Sequence, residues 1–182
     1  DGAFARGAAA ITVHGRTVKQ RYVGPSNWDF LREVKNHAGD RTVIGSGDLF
    51  SAAACMAMLD QTGVDGVSIA RGAIGYPWIF GQALALLEGR PLPLPPTIHE
   101  QRDVLREHWA LAMDLHGESA AGRSMRKFAI KYARCHPDAL DVRNAFIAVK
   151  TDPEWHEVLD RYYSTDGPGR DPSSDIDEID CS

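Results

Sequence analysis

The sequence predicts an α/β fold, made of the last three βα units of a (β/α)8 barrel followed by a small all-α helical bundle. In residues 1–89, short apolar runs alternate with glycine-containing loops and amphipathic stretches, which is typical of parallel βα units. Four prolines then fall within residues 90–96 and exclude a helix or a central strand there. Beyond them only helical periodicity remains.

Each predicted strand in the first region leads into a predicted helix. Ser51 is suited to cap the second helix and Gly63 to end it, and Pro77 fits the first turn of the third helix. The predicted strands are residues 9–14, 42–44 and 66–70, with the first one buried, and the predicted helices are residues 27–38, 51–59 and 77–88.

A parallel arrangement of these strands follows from the length of the connections, because a parallel crossover needs about a dozen residues or more. Three parallel strands by themselves leave two open sheet edges. A complete (β/α)8 barrel takes about 250 residues, so three units fit its last three-eighths. The chain also begins without a methionine, and we expect it to be a piece that starts in mid-sequence.

The region after the prolines predicts four helices. Thr97 and Glu100 form a capping box that opens the first, and Asp152 with Pro153 is suited to cap the last. Glycine, proline and acidic residues dominate from Ser164 onward, which predicts disorder. We therefore divide the chain into a barrel part (1–89), a linker (90–96), a helical domain (97–163, with inner helices near 120–135 and 139–149) and an acidic disordered tail (164–182).

Composition narrows the class of protein. The 182 residues carry a net charge of -5 and contain no apolar run that could span a bilayer. The three cysteines are widely spaced, which excludes a disulfide framework and favours a reducing, cytoplasmic setting without a bound metal. Residues 164–182 hold six acidic residues and one basic residue, so the remaining chain is neutral.

Polar and small residues follow all three predicted strands. His14 ends the first, Ser46, Gly47 and Asp48 follow the second, and Ala70 and Arg71 follow the third. The carboxyl ends of parallel strands are where such folds bind ligands, and small residues beside an arginine suit a phosphate. Tight strand-to-helix turns would also explain the glycines, and a structural hydrogen bond would explain the histidine.

A basic helix forms the second candidate site. Between residues 119 and 136 the chain has five basic residues and no acidic one. The alternative is a charged helix face that only contacts solvent. Such a face usually contains acidic as well as basic residues, so the pattern favours contact with a phosphate backbone. The loop from Arg16 to Arg21 adds three more bases. The residues expected to contact RNA are Arg16, Arg123, Arg126, Lys127, Lys131 and Arg134.

Several segments together resemble the bacterial tRNA-dihydrouridine synthases. In the first region these are ITVHGRT, IGSGDLF and DGVSIARGAIGYPWIF, and in the helical region they are GRSMRKFAIKY and VRNAFIAVKTDPEWHEVLDRYY. The resemblance covers residues 1–163. It implies an FMN-binding barrel with a tRNA-binding helical domain, and NADPH-dependent reduction of the C5–C6 bond of uridine in tRNA.

The resemblance also assigns roles to the polar residues at the strand ends. It makes His14 a flavin contact. Ser46, Gly47 and Asp48 correspond to an Asn-Gly-Asp cofactor loop, and Ala70 with Arg71 to a Gly-Arg phosphate-binding pair. Serine replaces asparagine and alanine replaces glycine, yet both backbone N–H groups are retained. Altered contacts with FMN are therefore expected rather than lost binding.

The catalytic cysteine of the family has no counterpart in this sequence. The family carries it in an Asn-x-x-Cys-Pro segment, whereas Cys55, Cys135 and Cys181 lie in other contexts. No catalytic residue is assigned, and we expect this chain alone to be inactive. The full-length enzyme is expected to be monomeric. Two alternatives are another FMN barrel, such as a dihydroorotate or dihydropyrimidine dehydrogenase, and a non-catalytic RNA-binding module.

Overall fold

A computed structural model describes residues 1–172, apart from the side chains of residues 118 and 119. Within that range the chain forms three β-strands and seven α-helices and divides into two compact units. The first unit comprises Asp1–Ala73 and Ile79–Pro93. The second comprises Ile74–Trp78 and the described residues from Leu94 onward, so the chain passes from one unit to the other between Pro93 and Leu94, within the proline-rich stretch.

The first unit is a parallel sheet with helices that follow the strands. Its strands lie in the order β1-β2-β3, and every pairing is parallel. Asn27 and Ser51 cap two of the helices by accepting hydrogen bonds from backbone N–H groups in the first turn. The elements are β1 (Ala10–His14), α1 (Trp28–Ala38), β2 (Thr42–Ser46), α2 (Ala52–Thr62), β3 (Gly66–Val67) and α3 (Ile79–Leu87).

Three details of this unit differ from the sequence prediction. Strand β1 alternates between exposed and half-buried residues rather than being buried, because successive side chains point to opposite faces of the sheet and only Ile11 and Val13 pack against the core. Strand β3 has two residues rather than five. Helix α3 begins at Ile79, so Pro77 precedes it instead of occupying its first turn.

The core of the first unit lies between the sheet and its helices. Leu31 of α1, Val43 of β2 and Met58 of α2 are fully buried in one cluster. At the opposite end of the strands from His14, the Asp65 carboxylate accepts hydrogen bonds from Lys35 Nζ (2.8 Å) and from the Val43 N–H (2.8 Å). This carboxylate ties α1 to the sheet.

The second unit is entirely helical. The capping box predicted at Thr97 and Glu100 is present, and a 3-10 turn (Ala133–Cys135) continues the second of its helices. Trp109 and Trp155 stack in the core with ring centroids 4.4 Å apart. The helices are α4 (Ile98–His116), α5 (Glu118–Tyr132), α6 (Ala139–Ala148) and α7 (Asp152–Tyr162).

Two expectations for this unit are corrected. The cap of α7 is Thr151 rather than Asp152, and Glu154 completes the capping box; the Asp152 carboxylate instead accepts a hydrogen bond from Trp109 Nε1 at 2.6 Å. Residues 164–172, predicted to be disordered, pack against the helices. The Gly167 carbonyl accepts from the Ile98 N–H (2.9 Å), and the Arg170 N–H donates to the Cys135 carbonyl (2.8 Å). The rest of the predicted tail, residues 173–182, lies outside the described residues.

Among residues 1–172, no helix combines the length and the apolar character that crossing a bilayer requires.

Candidate functional site

The carboxyl ends of the three strands meet on one side of the first unit. Parallel pairing places His14 opposite Ser46, and beyond β3 the Ser46 hydroxyl donates to the Ser68 carbonyl at 3.0 Å. An open pocket forms where the strands end. It is lined by His14, Ser46, Gly47, Asp48, Leu49, Phe50, Ser68, Ala70, Arg71 and Gly72, a set that contains every residue predicted to bind the cofactor.

Asp48 ties the loop after β1 to the end of β2. Its two carboxylate oxygens accept from Arg16 Nη1 (2.6 Å) and Nη2 (2.9 Å), a two-pronged pairing. One of them also accepts from the Ser26 N–H at 2.7 Å. Asp48 has a positive φ of 59°, a conformation that aspartate adopts more readily than most residues. The residue therefore lines the pocket with its carboxylate already engaged.

Arg16, which was expected to contact RNA, has a nearly buried side chain that is paired with Asp48. Its side chain is only 5% exposed, and its guanidinium donates to the Gly24 carbonyl as well as to Asp48. A guanidinium committed to an internal ion pair has few donors left for a phosphate. This placement argues against RNA contact by Arg16 and makes it the residue that holds its own loop.

Arg71 lies against two aromatic rings at the pocket. Its guanidinium carbon is 4.3 Å from the centre of the Tyr22 ring and 5.2 Å from that of Phe50, within the range of cation–π contact. Its Nη2 is 3.7 Å from Asp48 Oδ1. The sequence analysis identified neither aromatic residue as part of the site. Phe50 could have been identified, because it follows the predicted cofactor residue Asp48 by only two positions.

The His14 ring is oriented by its own loop. Its Nδ1 lies 3.1 Å from the Arg16 backbone N–H and accepts that hydrogen bond. A neutral histidine that accepts at Nδ1 carries its proton on Nε2. His14 can therefore donate one hydrogen bond from the ring edge at the pocket.

Glycine is required at two positions beside Ser26. A Cβ on Gly15 or on Gly47 would collide with the Ser26 side chain, and Gly47 also has a φ of 129°, which side chains rarely adopt. The two glycines let the loop after β1 close onto the end of β2. This close approach brings the Ser26 N–H within reach of Asp48.

Charge and size together define what the pocket fits. Arg71 lines the pocket, and the charge of Asp48 is paired with Arg16, so an anion there would meet a guanidinium and a carboxylate that is already compensated. The cavity volume is about 30 Å³, which is room for a small group and not for a whole nucleotide. The geometry suits the terminal phosphate of a longer ligand whose remainder lies outside the pocket.

The basic residues of α5 divide by exposure. Arg123 and Lys127 are exposed, whereas Arg126, Lys131 and Arg134 are half-buried. The inner face packs into the helical core through Met125, Ala129 and Tyr132. The amphipathic arrangement predicted from the sequence is therefore present, with cations on the outer side.

Neither described thiol resembles a catalytic acid or nucleophile. Cys55 and Cys135 are fully buried, and burial raises the pKa of Cys55 to about 11 and that of Cys135 to about 12. Cys135 Sγ lies 3.5 Å from the Gly75 carbonyl oxygen. Reactive cysteines are partly exposed with a lowered pKa, so both thiols are structural. Cys181 lies outside the described residues.

Fold and site together define an α/β protein with a polar pocket at the carboxyl ends of parallel strands. The chain belongs to the dihydrouridine synthase (Dus) family, whose model matches residues 2–165. A probable tRNA-dihydrouridine synthase of Mycobacterium tuberculosis is 39% identical over 163 residues. The match covers 90% of this chain and 42% of that relative.

Further relatives come from distant bacteria. A probable tRNA-dihydrouridine synthase of Rickettsia prowazekii is 35% identical over 86% of this chain and 48% of its own length. One of a Synechocystis strain is 32% identical over 87% of this chain and 44% of its own length. The chain thus spans less than half the length of each of these relatives.

Proposed function

We propose that this protein is an FMN-dependent tRNA-dihydrouridine synthase that reduces the C5–C6 bond of uridine in tRNA with NADPH. Family membership supports the reaction, and the pocket at the strand ends supports the cofactor. In this proposal the first unit is the last three βα units of a (β/α)8 barrel and the helices beyond the prolines form a tRNA-binding bundle.

The pocket is the observation that carries the proposal. Arg71 would hold the FMN phosphate, because a guanidinium fork matches phosphate oxygens. The Gly47 and Ala70 backbones would approach the phosphate closely, since neither has a bulky side chain. Arg16 forms an ion pair with Asp48, and this pairing reduces the repulsion between the carboxylate and the phosphate.

The remaining pocket residues would orient the cofactor. FMN, when bound, supplies the hydride for uridine reduction. His14 would donate from Nε2 to an acceptor on the cofactor, and its ring is held in place by the Arg16 N–H. The Asp48–Arg16 pair fixes the two loops between which the cofactor would lie.

Comparison of FMN with riboflavin tests the role of Arg71, because the two differ in the phosphate. Substitution R71Q should weaken FMN binding about 10-fold or more, the scale of a lost charged hydrogen bond, and leave riboflavin binding unchanged. Titration of flavin fluorescence measures both affinities. R32Q removes an exposed arginine of the same unit and serves as the control.

Two outcomes would contradict the proposal. Equal affinity of the unsubstituted protein for FMN and riboflavin would show that the pocket does not bind the phosphate. A colourless protein that binds tRNA without flavin would favour a non-catalytic RNA-binding module.

The 182-residue chain should not form dihydrouridine by itself, even when it is supplied with FMN, NADPH and tRNA. Its two described thiols are buried and cannot deliver a proton to a substrate. Mass spectrometry of the tRNA nucleosides measures the product. Formation of dihydrouridine above the level of a boiled control would overturn this expectation.

A further inference from the structure

The two aromatic rings beside Arg71 come from different loops. Phe50 belongs to the loop after β2 and is part of the lining of the pocket. Tyr22 reaches Arg71 from the loop after β1, and its ring is the nearer of the two, with the guanidinium carbon lying over it at 4.3 Å from the ring centre. The contact between Tyr22 and Arg71 therefore joins the loops after β1 and β3.

Burial does not account for the position of the Tyr22 ring. The residue is 62% exposed, so it gains little from the removal of apolar surface from water. The contact with the Arg71 guanidinium is a favourable interaction that remains available to a ring in such an exposed place. We therefore examine what this contact does for Arg71.

The backbone around Tyr22 is fixed by a turn. The Gln20 carbonyl accepts from the Val23 N–H at 3.1 Å, and Gln20 Nε2 donates to the Val23 carbonyl at 3.1 Å. Inside this turn Arg21 has a φ of 52°, a left-handed conformation that few residues other than glycine adopt. Such conformations persist where the surrounding structure imposes them, and they are frequent at ligand sites. The turn thus holds a strained residue directly before the ring that meets Arg71.

An aromatic ring and a carboxylate hold an arginine in different ways. Asp48 compensates the charge of Arg16 through two hydrogen bonds, at 2.6 and 2.9 Å. The same carboxylate is 3.7 Å from Arg71 Nη2, which is beyond hydrogen-bond distance. The face of a ring attracts a guanidinium through its quadrupole and leaves the positive charge in place. Tyr22 therefore restrains Arg71 without neutralising it.

We propose that Tyr22 is a positioning residue that holds the Arg71 guanidinium at the pocket and so favours a flavin with a phosphate over a flavin without one. This inference rests on the proposed function, in which Arg71 binds the FMN phosphate. Tyr22 acts through Arg71 and does not itself contact the cofactor. An arginine side chain that is restrained before the ligand arrives loses less conformational entropy on binding, and this gain applies to the phosphate alone.

Titration of flavin fluorescence with FMN and with riboflavin tests the inference. Y22L removes the ring and keeps an apolar side chain, and it should weaken FMN binding about 2- to 5-fold, the scale of a cation–π contact at an exposed site. Riboflavin binding should not change. Y22F keeps the ring and should retain the affinity for both flavins. F30L is the matched control, because Phe30 is an exposed aromatic residue on α1 of the same unit, and it should alter neither affinity.

A double substitution separates action through Arg71 from a direct effect of Tyr22. When Y22L is added to R71Q, the affinity for FMN should fall no further, because the group that Tyr22 positions is already gone. If Y22L causes its full loss in the R71Q background as well, Tyr22 acts independently of Arg71 and the inference is overturned.

Separate outcomes distinguish this inference from the proposed function. If the unsubstituted protein binds no flavin, or binds FMN and riboflavin equally, the proposed function fails and the inference with it. If it prefers FMN and Y22L has the same preference, the inference alone is overturned. Tighter FMN binding by Y22L would make the ring an obstruction, and equal losses for both flavins would place the ring against the flavin itself; either result overturns the inference.

A measurement without flavin tests the contact itself. The ring current of Tyr22 should shift the NMR signals of the Arg71 side-chain protons next to the guanidinium. In Y22L these signals should move toward their ordinary positions, whereas in Y22F they should stay. Unchanged signals in a Y22L protein with an unchanged melting temperature would place the ring away from Arg71 and overturn the inference.

Discussion

Asp48 is the residue on which the geometry of the pocket depends most. Its carboxylate meets two arginines and one backbone N–H, although the resemblance marks it only as part of a cofactor loop. Because the Arg16 side chain is 5% exposed, removal of its partner leaves a nearly buried charge without compensation. Asp48 is therefore a positioning residue for the loop after β1 and for Arg71.

Substitution D48N should destabilise the protein by about 3 kcal/mol, the scale of an ion pair that loses one partner away from solvent. D29N is the control, because the Asp29–Arg32 pair is exposed and should contribute less than about 1 kcal/mol. Chemical unfolding at neutral pH measures both. Similar losses for the two variants would mean that the Asp48–Arg16 pair behaves as an ordinary surface pair.

The two described thiols should resist modification as long as the protein is folded. Burial raises the pKa of Cys55 to about 11 and that of Cys135 to about 12, so the reactive thiolate is scarce at pH 8 as well as inaccessible. A C181S variant isolates them. Its reaction with a thiol reagent should be negligible until denaturant is added, and rapid labelling in the native state would contradict their structural role.

Two of the helix caps were predicted correctly from the sequence, whereas the cap of α7 and the end of β3 were not. Ser51 and Thr97 cap helices as expected, because capping depends on residues within one turn. Asn27, predicted as the first residue of its helix, caps that helix instead. The exposure of β1 and the short β3 depend on contacts between distant residues, which local patterns do not report. The six residues predicted to bind the cofactor do line one pocket. The ion pair between Arg16 and Asp48 was not predicted, because these residues are 32 positions apart in the sequence.

The start of α7 should make stability depend on pH. The Glu154 carboxylate accepts from the Lys150 N–H (2.7 Å) and the Thr151 N–H (3.0 Å), and these hydrogen bonds lower its pKa. A lowered pKa in the folded state means that the contribution is present above the unfolded pKa and is lost as the pH falls below the ordinary range of a glutamate and through the folded pKa.

E154Q should therefore be less stable than the unsubstituted protein at pH 7, and the difference should shrink as the pH falls below the ordinary pKa range of a glutamate. E157Q lies on the same helix in an exposed position and should show no such trend. Thermal unfolding at a series of pH values measures both variants. A difference for E154Q that is independent of pH would mean that the charge of Glu154 does not contribute to the cap.

At the scale of the whole molecule, charge is unevenly distributed along the chain. The net charge of -5 equals that of residues 164–182, where six acidic residues meet one basic residue. The preceding 163 residues are neutral, with bases gathered on α5. A protein that is acidic by composition can therefore carry a cationic face on one helix.

Helix α3 exposes an apolar stripe that a soluble monomer rarely leaves uncovered. Phe80, Leu84 and Leu87 are all exposed and recur at helical spacing, so they form one face. More than half of each relative described above lies outside the part that this chain matches. We expect such additional chain to cover the stripe in a protein of that length.

The 182-residue chain alone should therefore self-associate through the stripe as its concentration rises. L87Q should lower the weight-average mass toward that of a monomer, because it places an amide within the apolar stripe. L140Q is the matched control, since Leu140 is 68% exposed against 63% for Leu87 but lies on α6. Sedimentation equilibrium measures all three proteins; a monomer at every concentration, or equal relief by L140Q, would show that α3 is not the associating surface.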